Sequence, residues 1–171
     1  MMERLCVFSH GLESGPWGTK IQAMAEVAKA QGFAVISVDY QGMREAQPRV
    51  DKLLATLAEN ASATTVLVGS SMGGHVATAA ANAHAVQGLF VLAPAFFMPG
   101  LEALTPAVPD CPMHIVHGWH DDVVPVDHSL KFARAEAVRL SLVDSDHRLG
   151  SALPMINELL ASFLVECLPS E

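Results

Sequence analysis

Residues 69–73 (GSSMG) carry the pattern G-x-S-x-G, which can present a serine hydroxyl as a nucleophile. The pattern directly follows a short apolar run, residues 65–68, that we predict as a strand, and it opens an alanine-rich run that we predict as a helix. On such a tight turn, bulky side chains two residues before and after the serine would collide, and glycines at both positions avoid the collision. The N–H groups of the first helical turn also favour negative charge beside the hydroxyl. We therefore predict Ser71 as the nucleophile and interpret Ser70 as a small space-saving residue.

A general base and an orienting acid are needed beside such a serine, because its hydroxyl is a weak nucleophile until a base takes the proton. His147 follows the last predicted strand and is the only histidine after His128, so we predict it as the base. Asp121 and Asp122 both follow an earlier strand, at the edge where ligand sites of open α/β sheets gather. Either acid could reach the imidazole from there.

Acyl transfer at a serine also needs two N–H donors that stabilise the oxyanion. One candidate is the backbone N–H of Met72, the residue after the nucleophile. The second should come from the loop after the first strand, residues 9–15 (SHGLESG), whose small residues permit close backbone approach. We favour the Leu12 N–H, with the Gly11 N–H as the alternative.

The other histidines give no second pattern for chemistry. His114, His117 and His120 lie three residues apart, a spacing that would suit a metal ion only on one helix, whereas these residues run from a strand into a loop. We expect no metal and a structural, hydrogen-bonded role for His10. The remaining three histidines are interpreted as packing or surface residues (His75, His84, His128).

These candidates must be positioned by alternating strands and helices. The strands are short and apolar, and the helices carry apolar residues at helical spacing, which is typical of a parallel sheet covered on both faces. We predict one α/β domain over residues 1–171. The predicted strands are residues 4–9, 33–38, 65–68, 88–92, 113–116 and 138–143, and the predicted helices are residues 17–31, 48–60, 72–84, 127–136 and 152–167.

Composition narrows the possible partners and compartment. The 171 residues are 51% hydrophobic and carry a formal net charge of −8 without any run of Lys or Arg. We therefore expect neither a nucleic acid nor a membrane as partner, since phosphates must be neutralised by clustered cations. No segment has the length of a signal peptide or of a membrane-spanning helix. Three widely spaced cysteines are typical of reduced thiols, so we expect a cytoplasmic protein.

Taken together, the segments FSHGL, VDY, VGSSMGG, HGWHDDVVP and DHRL resemble the α/β-hydrolase superfamily, and more narrowly its small cap-less bacterial members. The resemblance covers about residues 4–165. It implies a catalytic triad of Ser71, Asp121 and His147, because the spacing of Asp121 from its flanking glycine and proline is typical of the family; Asp122 is then a solvated or capping neighbour. It also implies about six mainly parallel strands in the order 2-1-3-4-5-6, starting at what would be the third strand of the full fold. No cofactor is expected.

A proline-rich segment, residues 94–112, stands where the family usually inserts a cap domain, and it is too short to form one. Five prolines exclude a single regular element. Two alternatives remain open for it. It could fold over the site as a flap, or its Phe pair could close the edge of the core. In the first case an apolar acyl-binding wall is expected from Phe96, Phe97 and Met98, together with Trp119 and Leu12.

The resulting functional hypothesis is hydrolysis of a carboxylic ester or thioester of a small molecule through an acyl-enzyme on Ser71. With so little covering structure, we expect small or accessible acyl groups. A peptidase, an amidase or a C–C bond hydrolase on the same fold is the alternative, because fold and triad alone do not select the bond. A binding module without catalysis is a third hypothesis. Neither the physiological substrate nor the oligomeric state can be predicted from these residues.

Overall fold

A single six-stranded sheet organises the protein. The computed structural model describes residues 2–170, and its strands all run parallel, in the order β2-β1-β3-β4-β5-β6. The predicted fold class and strand order are therefore confirmed. Because every strand runs the same way, the loops that follow them meet at one edge. The strands are β1 (Met2–Ser9), β2 (Ala34–Val38), β3 (Ser62–Ser70), β4 (Gly88–Leu92), β5 (Met113–Gly118) and β6 (Arg139–Val143).

Five helices cover both faces of the sheet, as predicted. One face carries α1 and α5, and the other carries α2, α3 and α4; each face buries its own apolar cluster against the sheet. Burying these clusters is the main force that holds the layers together. The helices are α1 (Thr19–Ala30), α2 (Ala46–Glu59), α3 (Met72–Ala83), α4 (Val126–Glu136) and α5 (Leu153–Glu166).

The differences from the predicted elements lie at their ends. β1 begins at Met2, before its apolar run, because Met2 pairs with Ser62 of β3. Pairing between strands, which periodicity does not reveal, decides that boundary. α2 begins at Ala46, upstream of Pro48. A proline is tolerated in the first turn of a helix, because the N–H that it lacks would have no hydrogen-bond partner there. The two edge strands are partly exposed, whereas β4 is wholly buried.

Residues 94–112 do not form a cap domain. The segment contains one turn of 3₁₀ helix (Glu102–Leu104) and otherwise follows the helices of one face. The Asn82 side chain of α3 donates to the Ala107 carbonyl at 2.8 Å, and the Phe96 ring stacks on Phe132 of α4 with centroids 4.2 Å apart. Within residues 2–170, no helix is long and apolar enough to span a membrane.

Candidate active site

Ser71 occupies the turn between β3 and α3 in a strained backbone conformation. Its φ of 54° and ψ of −119° lie in a region that non-glycine residues rarely adopt. The surrounding backbone holds this conformation, since the Ser71 N–H donates to the Leu92 carbonyl at 2.9 Å. The Ser71 carbonyl in turn accepts from the N–H groups of Gly74 and Ala95, each at 3.0 Å. The side chain thus projects at the carboxyl edge of the sheet.

The glycines of the pattern are explained by contacts with the backbone. A Cβ at Gly73 would overlap the carbonyl oxygens of Ser9 and His10, at the end of β1. A Cβ at Gly69 would lie 2.7 Å from the Cα of Gly74 and would overlap the Gly73 carbonyl. Real Cβ atoms do not approach so closely, so only glycine allows β1, β3 and α3 to meet here.

Ser71, His147 and Asp121 are joined by hydrogen bonds. His147 Nε2 lies 3.0 Å from Ser71 Oγ, and His147 Nδ1 lies 2.7 Å from Asp121 Oδ2. Because a carboxylate can only accept, Nδ1 carries the proton and Nε2 is free to accept the serine proton. The His147 side chain is 19% exposed and the Asp121 side chain is fully buried. Asp122, the alternative acid, is exposed to solvent.

The Asp121 carboxylate accepts three hydrogen bonds and has one further polar contact. Oδ1 accepts the backbone N–H groups of Val123 and Val124 at 2.9 and 2.8 Å. Oδ2 lies 3.0 Å from Nε2 of His117, a fully buried residue of β5, in addition to its bond with His147. These contacts fix the position of the carboxylate beside His147.

The loop after β1 passes beside Ser71 on its other side. A Cβ at Gly11 would lie 3.6 Å from Ser71 Cβ and 3.5 Å from the Ser70 carbonyl. Neither the Leu12 N–H nor the Met72 N–H donates a hydrogen bond to any atom of residues 2–170. The loop after β1 and the first turn of α3 therefore both lie beside Ser71, and each contains an N–H group without an acceptor in the described residues.

Arg49 of α2, which sequence reasoning missed, fixes that loop. Its side chain is only 1% exposed, and Nη1 donates to the carbonyls of His10 and Gly11 at 2.9 and 3.3 Å. His10 is also buried: Nε2 accepts from the Tyr40 N–H at 2.8 Å, so Nδ1 donates to the Gly11 carbonyl at 2.7 Å. Burial lowers the pKa of His10 and keeps its ring neutral. The local sequence gives no signal for Arg49, because it reads as an ordinary helix charge.

Lys20 of α1 is a second residue that the sequence did not single out. Its Nζ donates to the Oγ of Ser70, the residue before Ser71, at 3.2 Å. Burial lowers the pKa of Lys20, while Asp121 and Asp146 oppose that effect. Ser70 therefore anchors a lysine in addition to saving space.

The residues expected to form an acyl-binding wall are dispersed. Phe96 is fully buried under α4 and offers no surface to a substrate, which corrects the expectation for this residue. Phe97 is half-buried and packs on α4 as well, with Lys131 Nζ 4.2 Å from its ring centroid. Met98 is half-buried, and Trp119 is 53% exposed in the loop after β5.

The remaining histidines of β5 and its loop separate from one another. His114 bonds Ser141 Oγ at 2.8 Å, and His120 bonds Asp144 on the surface at 2.9 Å. Within the part of the chain that the structure describes, no group of three or more His, Cys, Asp or Glu side chains is arranged to hold a metal ion.

The chain belongs to the alpha/beta hydrolase family, whose model matches residues 6–165. A crystal structure from Xanthomonas campestris pv. campestris, described as a hydrolase of the alpha/beta superfamily, is 31% identical; its TM-score is 0.86, with 97% of this chain and 100% of that chain covered. Est1E from Butyrivibrio proteoclasticus shares the fold at 20% identity (TM-score 0.85, covering 97% and 88%). So does the Pyrococcus furiosus esterase Pf2001, at 16% identity (TM-score 0.82, covering 96% and 83%). No curated protein matches the chain. Family membership supports a hydrolase.

Proposed function

We propose that the protein hydrolyses carboxylic esters or thioesters of small molecules through an acyl-enzyme on Ser71. The observation that carries the proposal is the continuous line of hydrogen bonds from Asp121 through His147 to Ser71 Oγ, at 2.7 and 3.0 Å. A nucleophile, a base in the correct tautomer and a buried acid are the groups that acyl transfer at serine requires.

In the first half of the reaction, Ser71 Oγ bonds to the carbonyl carbon while its proton passes to His147 Nε2. The Leu12 and Met72 N–H groups stabilise the oxyanion, and the Asp121 carboxylate stabilises the imidazolium. The bond to the leaving oxygen or sulfur then breaks, and that atom takes the proton from His147. Water repeats the sequence on the acyl-enzyme, releases a carboxylic acid and restores the serine hydroxyl.

The openness of the site supports small or accessible acyl groups. Ser71 is only half-buried, Trp119 is exposed, and residues 94–112 follow α3 and α4 instead of forming a separate cap. A long acyl chain would have little apolar surface to bury, so chain extension should gain little binding energy.

A panel of p-nitrophenyl esters and matching thioesters, from two to twelve acyl carbons, tests the proposal. We expect the highest kcat/KM for the shortest acyl groups and a loss on the order of 10⁵–10⁶-fold in Ser71→Ala. Ser70→Ala is the matched control and should keep most of the turnover. Equal turnover by wild type and Ser71→Ala would refute the nucleophile. A folded wild type that hydrolyses amides or C–C bonds but no ester would favour the alternative chemistry on the same triad.

We also propose a reducing, cytoplasmic setting. All three cysteines are free, and Cys6 and Cys167 are buried. Burial raises the pKa of Cys167 to about 12, so its thiol remains protonated and inert at neutral pH.

A further inference from the structure

We infer that His117 is a positioning residue for catalysis: its buried ring fixes the Asp121 carboxylate and so sets how strongly that carboxylate holds His147. The inference rests on the proposed function. It assigns to a fourth side chain a task that the Ser71, His147 and Asp121 contacts leave open, namely what holds Oδ2 of the acid in place.

The hydrogen bonds of His117 determine where its proton lies. Nε2 is 3.0 Å from Asp121 Oδ2 and 2.9 Å from the Val124 carbonyl, and both of these oxygens can only accept. Nε2 must therefore carry a proton, which it donates to the Val124 carbonyl, while Asp121 Oδ2 lies in polar contact with the same N–H edge of the ring. Nδ1, 2.7 Å from the Ser129 hydroxyl, then accepts from that hydroxyl. Each ring nitrogen has a partner, and the ring cannot turn without losing both.

The surroundings of His117 keep it neutral. The side chain is fully buried, and burial lowers its pKa, although the Val124 carbonyl and Asp121 oppose that effect. The titratable groups that face it are Asp121 and His147. A neutral ring keeps its N–H edge against the carboxylate without adding a second positive charge beside the imidazolium that forms on His147 during turnover.

Three elements converge on this ring. His117 is in β5, Asp121 and Val124 are in the loop that follows, and Ser129 is on α4. The ring therefore ties the acid-bearing loop to both the sheet and a helix. Since Oδ2 also accepts from His147, a movement of the His117 donor changes the same oxygen that orients the base.

The paired variants His117→Asn and His117→Gln test the inference. Glutamine can place an amide N–H close to the position of Nε2, whereas asparagine reaches only the position of Nδ1. We expect kcat/KM on the best short-chain ester to fall about 10–100-fold in the Asn variant, the range for a lost hydrogen bond to a charged group, and to stay within about fivefold of wild type in the Gln variant. The loss should be in kcat, with KM unchanged.

The pH profile separates positioning from mere support of the fold. An Asp121 carboxylate that has lost its contact with the His117 N–H holds the proton of the His147 imidazolium more strongly. The acidic limb of kcat/KM should therefore move to higher pH in His117→Asn and return in His117→Gln. His114→Asn is the matched control: it removes another buried histidine of β5 that bonds a serine but does not contact Asp121. It should lower stability and leave the acidic limb in place.

Four outcomes would decide against the inference or its basis. A folded His117→Asn variant with wild-type kcat/KM and acidic limb overturns it, as does an equal loss in the Asn and Gln variants without a shift of the limb. If neither variant folds, Ser129→Ala decides, since it frees the ring at Nδ1: a shifted limb supports the inference and an unchanged limb overturns it. A wild type without Ser71-dependent turnover overturns the proposed function instead, and this inference with it.

Discussion

On one side of Ser71, Asp121 and His147 are positioned by side chains that bond one another; on the other side, the loop after β1 is positioned by an arginine of α2 and by a histidine of the loop itself. Asp121 and His147 belong to the first region. The loop after β1 belongs to the second, where Arg49 and His10 bond its carbonyls and leave the Leu12 N–H free.

Under the proposed function, the two sides differ because proton transfer and oxyanion stabilisation need different groups. Proton transfer needs titratable side chains in fixed tautomers, so the acid–base side places histidines against a buried carboxylate. Stabilising an oxyanion needs only oriented dipoles, so the other side can use any backbone that is held rigidly. A substitution on the side of Asp121 and His147 should therefore abolish most of the turnover. A substitution on the side of the loop after β1 should lower turnover only as far as it loosens the loop backbone.

The largest effect is expected on the acid–base side, from Asp121→Asn. An amide N–H in place of Oδ2 would favour the wrong tautomer of His147, and kcat should fall on the order of 10⁴-fold. Steady-state hydrolysis of the best short-chain ester measures the loss. Asp122→Asn is the control and should remain within about twofold of wild type, because that side chain is exposed. Equal losses in both variants would show that the choice between the two acids is wrong.

A smaller effect is expected on the oxyanion side, from Arg49→Met. The carbonyls of His10, Gly11 and Met43 would each lose a donor. The loosened loop should lower kcat about 10–100-fold, which is less than the largest loss expected when one oxyanion donor is removed completely. The unfolding free energy should fall by about 1–3 kcal/mol.

Arg44→Met is the matched control for that variant. Arg44 is exposed and pairs with Glu13 on the surface, where ion pairs contribute at most about 1 kcal/mol. Kinetics and chemical denaturation of both variants provide the comparison. If Arg49→Met were destabilised but kept its full kcat, the loop would not depend on this guanidinium.

The smallest effect is a pH dependence of stability that both sides share. His10 and His117 are buried with lowered pKa values, and burial also lowers the pKa of His114 to about 4. Below the ordinary histidine pKa of about 6.5 the unfolded chain binds protons that the folded chain does not, so stability falls as the pH drops. For His114 this loss should extend from about pH 6.5 down to about pH 4.

Urea unfolding at pH 7, 6, 5 and 4 measures this slope. His114→Leu should make it shallower without abolishing it, because the buried histidines on the two sides of Ser71 remain. A slope identical to that of wild type would mean that His114 accepts a proton in the folded protein as readily as in the unfolded chain.

The fold could be predicted from sequence because its signals are local. β4 was predicted with its observed bounds, and the predicted α3 differs by one residue, since apolar runs and glycine punctuation mark both elements. Ser71, Asp121 and His147 could be predicted as a set, because each follows a predicted strand in the chain order that the family resemblance implies. The structure places His147 within hydrogen-bonding distance of both Ser71 and Asp121.

What could not be predicted depends on contacts between distant segments. Arg49 stands next to Val50, within the apolar stripe of an amphipathic helix, and nothing nearby shows that it bonds the loop after β1. His117 resembled one member of an evenly spaced histidine series. Phe96 was expected at the site because its segment follows β4, but a stacked partner on α4 buries it. Tertiary packing decides such positions.

The proposed function depends most directly on the reactivity of Ser71. Incubation with a fluorophosphonate, followed by intact mass and peptide mapping, measures it. We predict one label per chain on Ser71, labelling that persists in Ser70→Ala, and none in Ser71→Ala. A folded wild-type protein that stays unlabelled, or a Ser71→Ala variant that is labelled to the same extent, would contradict the account.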